Sequence, residues 1–509
     1  MKRFYIFFYV ILAFALAGCD MNKQPYSTIS PENALTTMED AAKLRNFIYA
    51  DFRGKMSGKW VYSADVQCDF FNAGVDFGNN GGDLYRWDFS ANLGNALTVW
   101  QGSYNSIQND NYRLKALNDY IAVRRQGETS EGRLTEADST TICLYKGESF
   151  FSRAYFYYQL ATFFCEDYDA STAGSAYGVP VVLEYNPTSD DSQYPGRATL
   201  AQTFEQINSD LDSAEYFINV EGAVGSNYIT KDVVSAMRAR VYLYMDMYED
   251  AIRYAEPLIE KYPLVDSDST YRKMWLNDTG EETIMQIFGS ISELPSSSSY
   301  GYVSYNDAQA KYTPMYIPTK TVIDLYEPND IRLKEGFLNV TVNLSTGNFS
   351  GIYLLNKFPG NPTFYQGTQN NYVNSPKPFR IAEQYLILAE AYALSGNDGA
   401  GSEILNRLQA NRNPNHAEVS YTGQQLIQEI RDERVRELIG EGFRLSDLRR
   451  YNNGMVRGEA QNTEAIYMPG DSRTDAMEKA AGDNRFVWPI PAEELTTNPQ
   501  LRQQQNEGY

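Results

Sequence analysis

Residues 426–451 read LIQEIRDERVRELIGEGFRLSDLRRY and carry the strongest structural signal in this 509-residue chain. Apolar residues recur there at roughly helical spacing, while the other positions carry both charges at high density. Gly442 is predicted to end this helix before a second amphipathic turn. One interpretation is a solvated, salt-bridged helix. The other is an internal charge network that joins the last helices, with a structural role. Its predicted members are Arg434, Glu437, Arg444 and Asp447.

The same segment resembles the C-terminal signature of the SusD/RagB family of outer-membrane nutrient-binding lipoproteins. The matching positions are Glu433-Arg434, Glu437-Leu438, Glu441-Gly442, Arg444, Asp447-Leu448 and Arg450. Residues 379–413 are similar to the family's last helical repeat. Residues 488–509 are similar to its closing segment, in which a proline-rich turn precedes an Asn-Pro pair and a Gln/Asn-rich tail. The resemblance over the first half of the chain is looser.

Helical segments interrupted by irregular inserts predict a mainly α fold. Helices or helical pairs are expected within residues 38–52, 97–125, 142–164, 200–218, 231–261 and 380–412. Their spacing is irregular, so a strict 34-residue repeat is absent. The resemblance implies a SusD-like scaffold of degenerate tetratricopeptide-type helical repeats that carries irregular loops and a few short strands. Strands are predicted at residues 282–289 and 339–355.

The N-terminus has the pattern of a bacterial lipoprotein signal. Lys2 and Arg3 precede an apolar run at residues 4–17, which is too short to span a bilayer comfortably. Small residues directly before Cys19 form a lipobox, so we expect a lipidated Cys19; an ordinary signal peptide is the alternative. The predicted organisation is a signal peptide at 1–18, a lipidated tether at 19–37 and a SusD-like domain at 38–509. Its ligand-binding inserts are expected around residues 59–89 and 275–375.

Composition restricts the partners of the chain. Formal net charge is −21, and removal of Lys2 and Arg3 with the signal lowers it to −23. An acidic surface disfavours nucleic acid and anionic membranes, so we expect no nucleic-acid partner and membrane contact through the lipid anchor only. Among Cys68, Cys143 and Cys165 at most one disulfide can form, and three unpaired thiols are the alternative.

Features of a catalytic or metal site are scarce in the sequence. His416 is the only histidine, and the chain has neither a Gly-rich phosphate loop nor a cysteine pair with zinc spacing. We therefore predict no catalytic residue, no metal ligand and no cofactor. Residues 76–83 offer oxygen ligands of the kind that calcium uses but lack EF-hand spacing, and we interpret them as a turn. Carboxylates are numerous, so a surface glycoside hydrolase remains an alternative function.

Two inserts combine aromatic and polar residues in the way that sugar binding requires. A ring covers the apolar C–H face of a sugar, while carboxylates and amides bond its hydroxyls. Residues 59–89 mix aromatics with Asp, Asn and Gly, and residues 294–305 are rich in Ser and Tyr. The predicted ligand-binding residues are Asp65, Asp69, Tyr85, Trp87, Tyr300 and Tyr302, with Tyr305 and Trp275 as further candidates. The alternative is that these aromatics pack the inserts onto the repeats.

The resemblance implies a surface-exposed lipoprotein of the outer membrane of a Gram-negative bacterium. Such a protein binds a glycan and delivers it to a TonB-dependent, SusC-like transporter that it covers. Uptake of peptides, as in the RagB branch of the family, is the alternative for the same fold. The identity and linkage of the glycan do not follow from the sequence.

Overall fold

The computed structural model describes residues 34–126, 132–299, 301–467 and 476–509. The predicted signal peptide, the lipidation site Cys19 and the candidate ligand residue Tyr300 lie outside these residues.

The first half of the described chain is built mainly of helices. They are α1 (Met38–Lys55), α2 (Lys59–Gln67), α3 (Gly82–Tyr85), α4 (Gly94–Gln126), α5 (Glu136–Phe164), α6 (Leu200–Phe217), α7 (Lys231–Tyr244) and α8 (Tyr248–Lys261). Threonine begins several of them with a capping box, at Thr37, Thr135 and Thr199. In each, the hydroxyl accepts an N–H of the first turn that has no partner inside the helix.

The second half alternates helices with an irregular insert. Its helices are α9 (Asp268–Leu276), α10 (Lys320–Ile323), α11 (Ile331–Gly336), α12 (Ile381–Leu394), α13 (Asp398–Arg412), α14 (Gly423–Leu438), α15 (Arg444–Arg450) and α16 (Ala492–Thr497). Helix α14 ends at Leu438, four residues before the predicted end. Gly440 and Gly442 both adopt positive φ in the turn that follows, where a residue with a side chain would be strained.

Neighbouring helices of the scaffold pack against one another. Helix α5 packs against α4 and α6, α7 packs against α8, and α12 packs against α8, α13 and α14. These pairs bury one large hydrophobic cluster that runs through the scaffold. The predicted mainly α architecture of stacked helical repeats is confirmed.

Short strands hold the inserts together. Strand β1 (Phe71–Ala73) pairs antiparallel with β5 (Tyr316–Pro318), and β2 (Thr283–Met285) pairs with β8 (Phe379–Arg380). A four-stranded sheet has the order β3 (Tyr305–Asn306), β4 (Lys311–Tyr312), β6 (Phe337–Leu344), β7 (Gly347–Leu355). Strand β9 (Met455–Val456) pairs with β10 (Glu478–Lys479). Strands were predicted at 282–289 and 339–355; the first is confirmed over a shorter span, and the second belongs to the β6–β7 hairpin.

A buried charge network joins the insert to the last helices. The carboxylate of Glu437 on α14 accepts hydrogen bonds from Arg332 at 3.0 Å, from Arg380 at 2.8 Å and from Arg412 at 2.9 Å. Arg380 and Arg412 also bond Glu282, at 2.7 and 2.9 Å. Burial alone would raise the pKa of Glu437, but the three guanidinium groups hold it well below its usual range. Glu437 is therefore ionised at the centre of the network.

Of the predicted network, Arg434, Glu437 and Asp447 are buried and Arg444 is half-buried, and the membership of the network is corrected. Arg434 bonds both oxygens of Asp447, at 3.1 and 3.0 Å, between α14 and α15. Arg444 instead bonds Asp69, at 2.8 and 2.6 Å. The four residues thus belong to three separate groups of direct contacts. Some of their partners come from the first half of the chain and from the insert, and these distant partners could not be predicted from the spacing of residues within 426–451.

Within the described residues, no helix is long and apolar enough to cross a membrane. Cys68, Cys143 and Cys165 are all unpaired thiols, and the first and third are buried. The alternative of three unpaired thiols is therefore the one observed, and no disulfide forms among these three cysteines.

Candidate functional site

The structure places the predicted aromatic ligand residues in the interior. Tyr85 and Tyr302 are 0% exposed, and Trp87 is 1% exposed. Tyr302 stacks on Phe71 with ring centroids 4.6 Å apart, and Trp87 packs edge-on against Phe486 at 4.8 Å. The expectation that these rings are exposed is wrong, so they offer no surface to a ligand in this structure.

The physical reason lies in long-range pairing. Residues 59–89 form α2, β1 and α3 instead of an open loop, and β1 pairs with β5 from the distant insert. This pairing encloses the aromatic residues in a second hydrophobic cluster that includes Tyr85, Tyr302 and Tyr316. The candidate Trp275 is also buried, among the side chains of α9 and α11.

The two predicted carboxylates are occupied in internal contacts. Asp69 is half-buried in its ion pair with Arg444. Asp65 is fully buried and accepts the backbone N–H of Gly442 at 3.1 Å. Burial raises the pKa of Asp65 to about 7, against the opposing effects of that N–H and of Lys357. The prediction that Asp65 faces ligand is wrong for the same reason as for the aromatics.

A different set of aromatic residues is accessible on the insert, and we call it the tyrosine surface. It consists of Tyr305, Tyr312, Tyr365 and Tyr372. Tyr305 is 37% exposed, and the other three are half-buried. Tyr305 stands opposite Tyr312 in the β3–β4 pairing, and their ring centroids lie 4.6 Å apart at 47°. Of the predicted candidates, Tyr305 alone belongs to this surface.

Tyr372 is held in a strained backbone conformation next to that pair. Its φ is +53°, in the left-handed region. Asn370 accepts the N–H of Tyr372 at 2.7 Å and donates to the carbonyl of Pro359 at 2.7 Å. Ser297 donates to the carbonyl of Tyr372 at 2.8 Å, and the Tyr372 hydroxyl accepts the N–H of Tyr305 at 3.3 Å. Strain that is compensated by such bonds is common at functional sites, and it fixes the ring before any ligand arrives.

A cleft of about 360 Å³ adjoins the tyrosine surface. Its lining is polar and aromatic and consists of Gly58, Lys59, Tyr62, Ser296, Ser297, Ser299, Gly301, Ser304 and Tyr372. Residues from both predicted inserts therefore meet here, although they are not the residues that were predicted. Gln366, Gln369 and Asn370 are exposed on the same insert. Rings, hydroxyls and amides together can cover one face of a sugar and bond its hydroxyls.

Asp307 supplies negative charge close to the rings. Burial raises the pKa of Tyr365 and of Tyr372, and the charge of Asp307 raises both further. The hydroxyls of Tyr365 and Tyr372 therefore stay protonated at neutral pH and can act as both donors and acceptors.

In the part of the chain that the structure describes, no three His, Cys, Asp or Glu side chains form a group that could hold a metal ion. Asp76, in the loop considered for calcium, bonds the backbone and hydroxyl of Ser345. His416 lies 2.8 Å from the amide oxygen of Asn406, and burial lowers its pKa.

Tyr312, Tyr365 and Tyr372 were missed from the sequence. The signal that could have indicated two of them is the segment 359–375, where Tyr365 and Tyr372 stand among Gly, Pro, Asn and Gln. Large aromatic residues in such a segment have few apolar neighbours that could bury them. The sequence around Tyr312 has no comparable signal. Its place on this surface follows only from its strand pairing with Tyr305.

Residues 338–509 match the model of the SusD family, and residues 54–243 match a model described as starch-binding and associating with the outer membrane. The starch-binding protein SusD of Bacteroides thetaiotaomicron is 33% identical over 131 residues. That match covers 26% of this chain and 21% of the length of that protein.

Solved structures resemble this fold over nearly its whole length. A SusD superfamily protein from Bacteroides thetaiotaomicron has a TM-score of 0.75 at 24% identity, over 91% of this chain and 99% of that chain. A laminarin-binding SusD-like protein has a TM-score of 0.68 at 19% identity, over 93% of this chain and 100% of that chain. At these identities the likeness shows the fold alone.

Proposed function

Because this chain belongs to the SusD/RagB family, we propose that it is a glycan-binding lipoprotein on the surface of the cell outer membrane. It captures an oligosaccharide and delivers it to a TonB-dependent, SusC-like transporter. It has no enzymatic activity of its own. Its lipid anchor is Cys19, after a signal peptide at residues 1–18 and at the start of a tether that ends at residue 37.

The observation that carries the glycan-binding proposal is the tyrosine surface with its cleft. The paired rings of Tyr305 and Tyr312 and the strained Tyr372 are accessible to solvent, although the same rings in the interior would stabilise the fold more. Exposed aromatic groups beside hydroxyls and amides are the chemistry that recognises neutral sugars. The match to a starch-binding family model supports the same ligand class.

The proposal is tested with a glycan array on the purified protein, followed by calorimetric titration of the glycans that bind. We expect saturable binding of at least one oligosaccharide class, and no release of reducing ends during prolonged incubation. Binding of peptides without binding of any glycan would favour the RagB-like alternative. Turnover of a bound glycan would favour a hydrolase.

The partner is tested separately. Co-purification from outer membranes should recover the protein together with a TonB-dependent transporter. Recovery of the protein alone under gentle solubilisation would contradict the assignment of this partner while leaving glycan binding untouched.

A further inference from the structure

The cleft beside the tyrosine surface contains a positive charge that the protein does not neutralise. Among the residues that the structure describes, Lys59 on α2 is the one charged side chain in the lining, and it is exposed. Its ammonium donates a hydrogen bond to the hydroxyl of Thr98 at 3.0 Å. No carboxylate of the described residues pairs with it. The ammonium is therefore accessible to a ligand in the cleft.

Other exposed lysines of this acidic chain differ from Lys59. Aspartate and glutamate number 65 against 44 lysines and arginines, so carboxylates are available to pair with most cations. Lys43, Lys115, Lys231 and Lys320 are all exposed, and each is paired with a carboxylate. At the cleft, the lysine is present and the acidic partner is missing. An anionic ligand would supply that partner.

Free hydroxyl groups line the same cleft. They belong to Ser296, Ser299 and Ser304, and within the described ranges of the chain none of the three hydroxyls makes a hydrogen bond. A hydroxyl can donate to an oxyanion, and an ammonium can act only as a donor. Hydrogen bonds between charged groups are roughly twice as strong as those between neutral groups. A ligand with an oxyanion therefore gains more in this cleft than one with neutral hydroxyls alone.

Negative charge lies outside the cleft, beside the rings. Asp307 acts on the hydroxyls of Tyr365 and Tyr372 but does not belong to the lining of the cleft. A ligand that extends from the cleft onto the tyrosine surface therefore meets a cation on α2 and an anion near the rings. This difference in charge favours one orientation, in which an acidic group of the ligand points toward Lys59.

We propose that the cleft selects an acidic glycan, one of whose sugars carries an anionic substituent, a carboxylate or a sulfate ester, that binds the ammonium of Lys59. Other sugars of the same oligosaccharide lie on the tyrosine surface. The cleft volume of about 360 Å³ lies within the range of about 300–1,000 Å³ that small-molecule sites occupy. The net negative charge of the chain does not prevent binding, because exposed charges more than about 10 Å apart are largely screened at 0.1 M salt. This inference rests on the proposed glycan-binding function and names its substrate class.

The test compares acidic oligosaccharides with neutral counterparts that have the same backbone. A glycan array carries oligogalacturonates beside their methyl esters and sulfated carrageenan oligosaccharides beside their desulfated forms, and calorimetric titration at low salt follows. At least one acidic oligosaccharide should bind about tenfold more tightly than its neutral counterpart. The pair that shows the difference distinguishes a carboxylate from a sulfate ester.

Variants of Lys59 test the assignment of the charge. Lys59→Met removes the charge and should abolish the preference for the acidic member of the pair, whereas Lys59→Arg keeps the charge and should retain it. The matched control is Lys311→Met. Lys311 is also exposed, but it precedes Tyr312 in β4, so its side chain points away from the face that carries the rings. This variant should keep the wild-type preference.

Salt provides an independent measurement. Raising NaCl from about 0.01 M to about 1 M shortens the Debye length from about 30 Å to about 3 Å, which should weaken binding of the acidic glycan to the wild type and hardly affect Lys59→Met. Equal affinity of the wild type for acidic and neutral members, binding of neutral glycans alone, or an unchanged preference in Lys59→Met would overturn this inference and leave glycan binding in place. Binding of no glycan at all would contradict the proposed function as well.

Discussion

The guanidinium of Arg412 and the carboxylate of Glu437 are joined inside the protein, with Nε 2.9 Å from Oε2 and both side chains fully buried. This contact links α13 to α14 and forms part of the group that also includes Arg332, Arg380 and Glu282. Glu437 of the signature segment therefore connects α14 to α13 and to the insert. None of the residues in this group belongs to the tyrosine surface.

Glu437→Gln should destabilise the fold strongly. The change keeps the size of the side chain but leaves three buried guanidinium groups without their shared charge, a loss that typically costs about 3–5 kcal/mol. Denaturant unfolding should show the decrease. The control is Glu221→Gln, in the exposed pair with Lys231, which should hardly change stability. Similar small effects for both variants would contradict the structural role of Glu437.

Asp65→Asn should alter the dependence of stability on pH. The raised pKa of Asp65 means that the folded protein keeps a proton that the unfolded chain releases between pH 4 and 7. Wild-type stability should therefore fall as pH rises through this window, by an amount on the order of 4 kcal/mol for a shift of about three pH units. Asn cannot ionise, so the free energy of unfolding of the variant should not show this decrease. The measurement is denaturant unfolding of both proteins between pH 5 and 8. If the free energy of unfolding changes with pH in the same way for wild type and variant, Asp65 does not titrate in that range.

Tyr305→Ala and Tyr312→Ala should each weaken glycan binding, by about 1–2 kcal/mol, because each removes one ring of the Tyr305–Tyr312 pair. Their melting temperatures should change little, since the pair lies at the surface. Tyr216→Ala, which removes a tyrosine that is 83% exposed on α6, serves as the control. Calorimetric titration that gives the same affinity for all three variants would remove the tyrosine surface from the binding site.

Trp87→Ala should act on folding and spare binding. Deleting a fully buried Trp typically costs about 3–5 kcal/mol, and Trp87 packs against Phe486 in the core. A thermal melt should show the loss, while the surviving folded protein binds glycan with wild-type affinity. A stable variant with lost binding would instead return Trp87 to the ligand site.

Cys19→Ala should release the protein from membranes without affecting its fold, because acyl chains provide the membrane affinity of a lipoprotein. Fractionation and mass spectrometry of the N-terminus measure the two consequences. Continued outer-membrane association of a variant that carries no acyl chain would contradict the anchor.

The helices of the scaffold could be predicted from the sequence because their signals are local. The spacing of apolar residues around Ile430 and the helical repeat at residues 380–412 both correspond to helices in the structure. Burial of the short aromatic segments could not be predicted, since it depends on contacts between distant residues. Phe71 and Tyr302 stack although 231 positions separate them, and no periodicity in either segment indicates the other. Tyr312 could not be predicted for the same reason, since only its strand pairing with Tyr305 brings it to the tyrosine surface.

The charge network also determines how the insert can move. Arg332 and Glu282 of the insert are paired with Glu433 and Arg412 of the last helices, so separating the insert from the scaffold would leave several buried charges without partners at once. Such a separation is far costlier than the opening of an ordinary surface loop. The tyrosine surface is therefore not a hinged flap. In the proposed delivery of a glycan, the tyrosine surface and the scaffold would therefore move together as one rigid body.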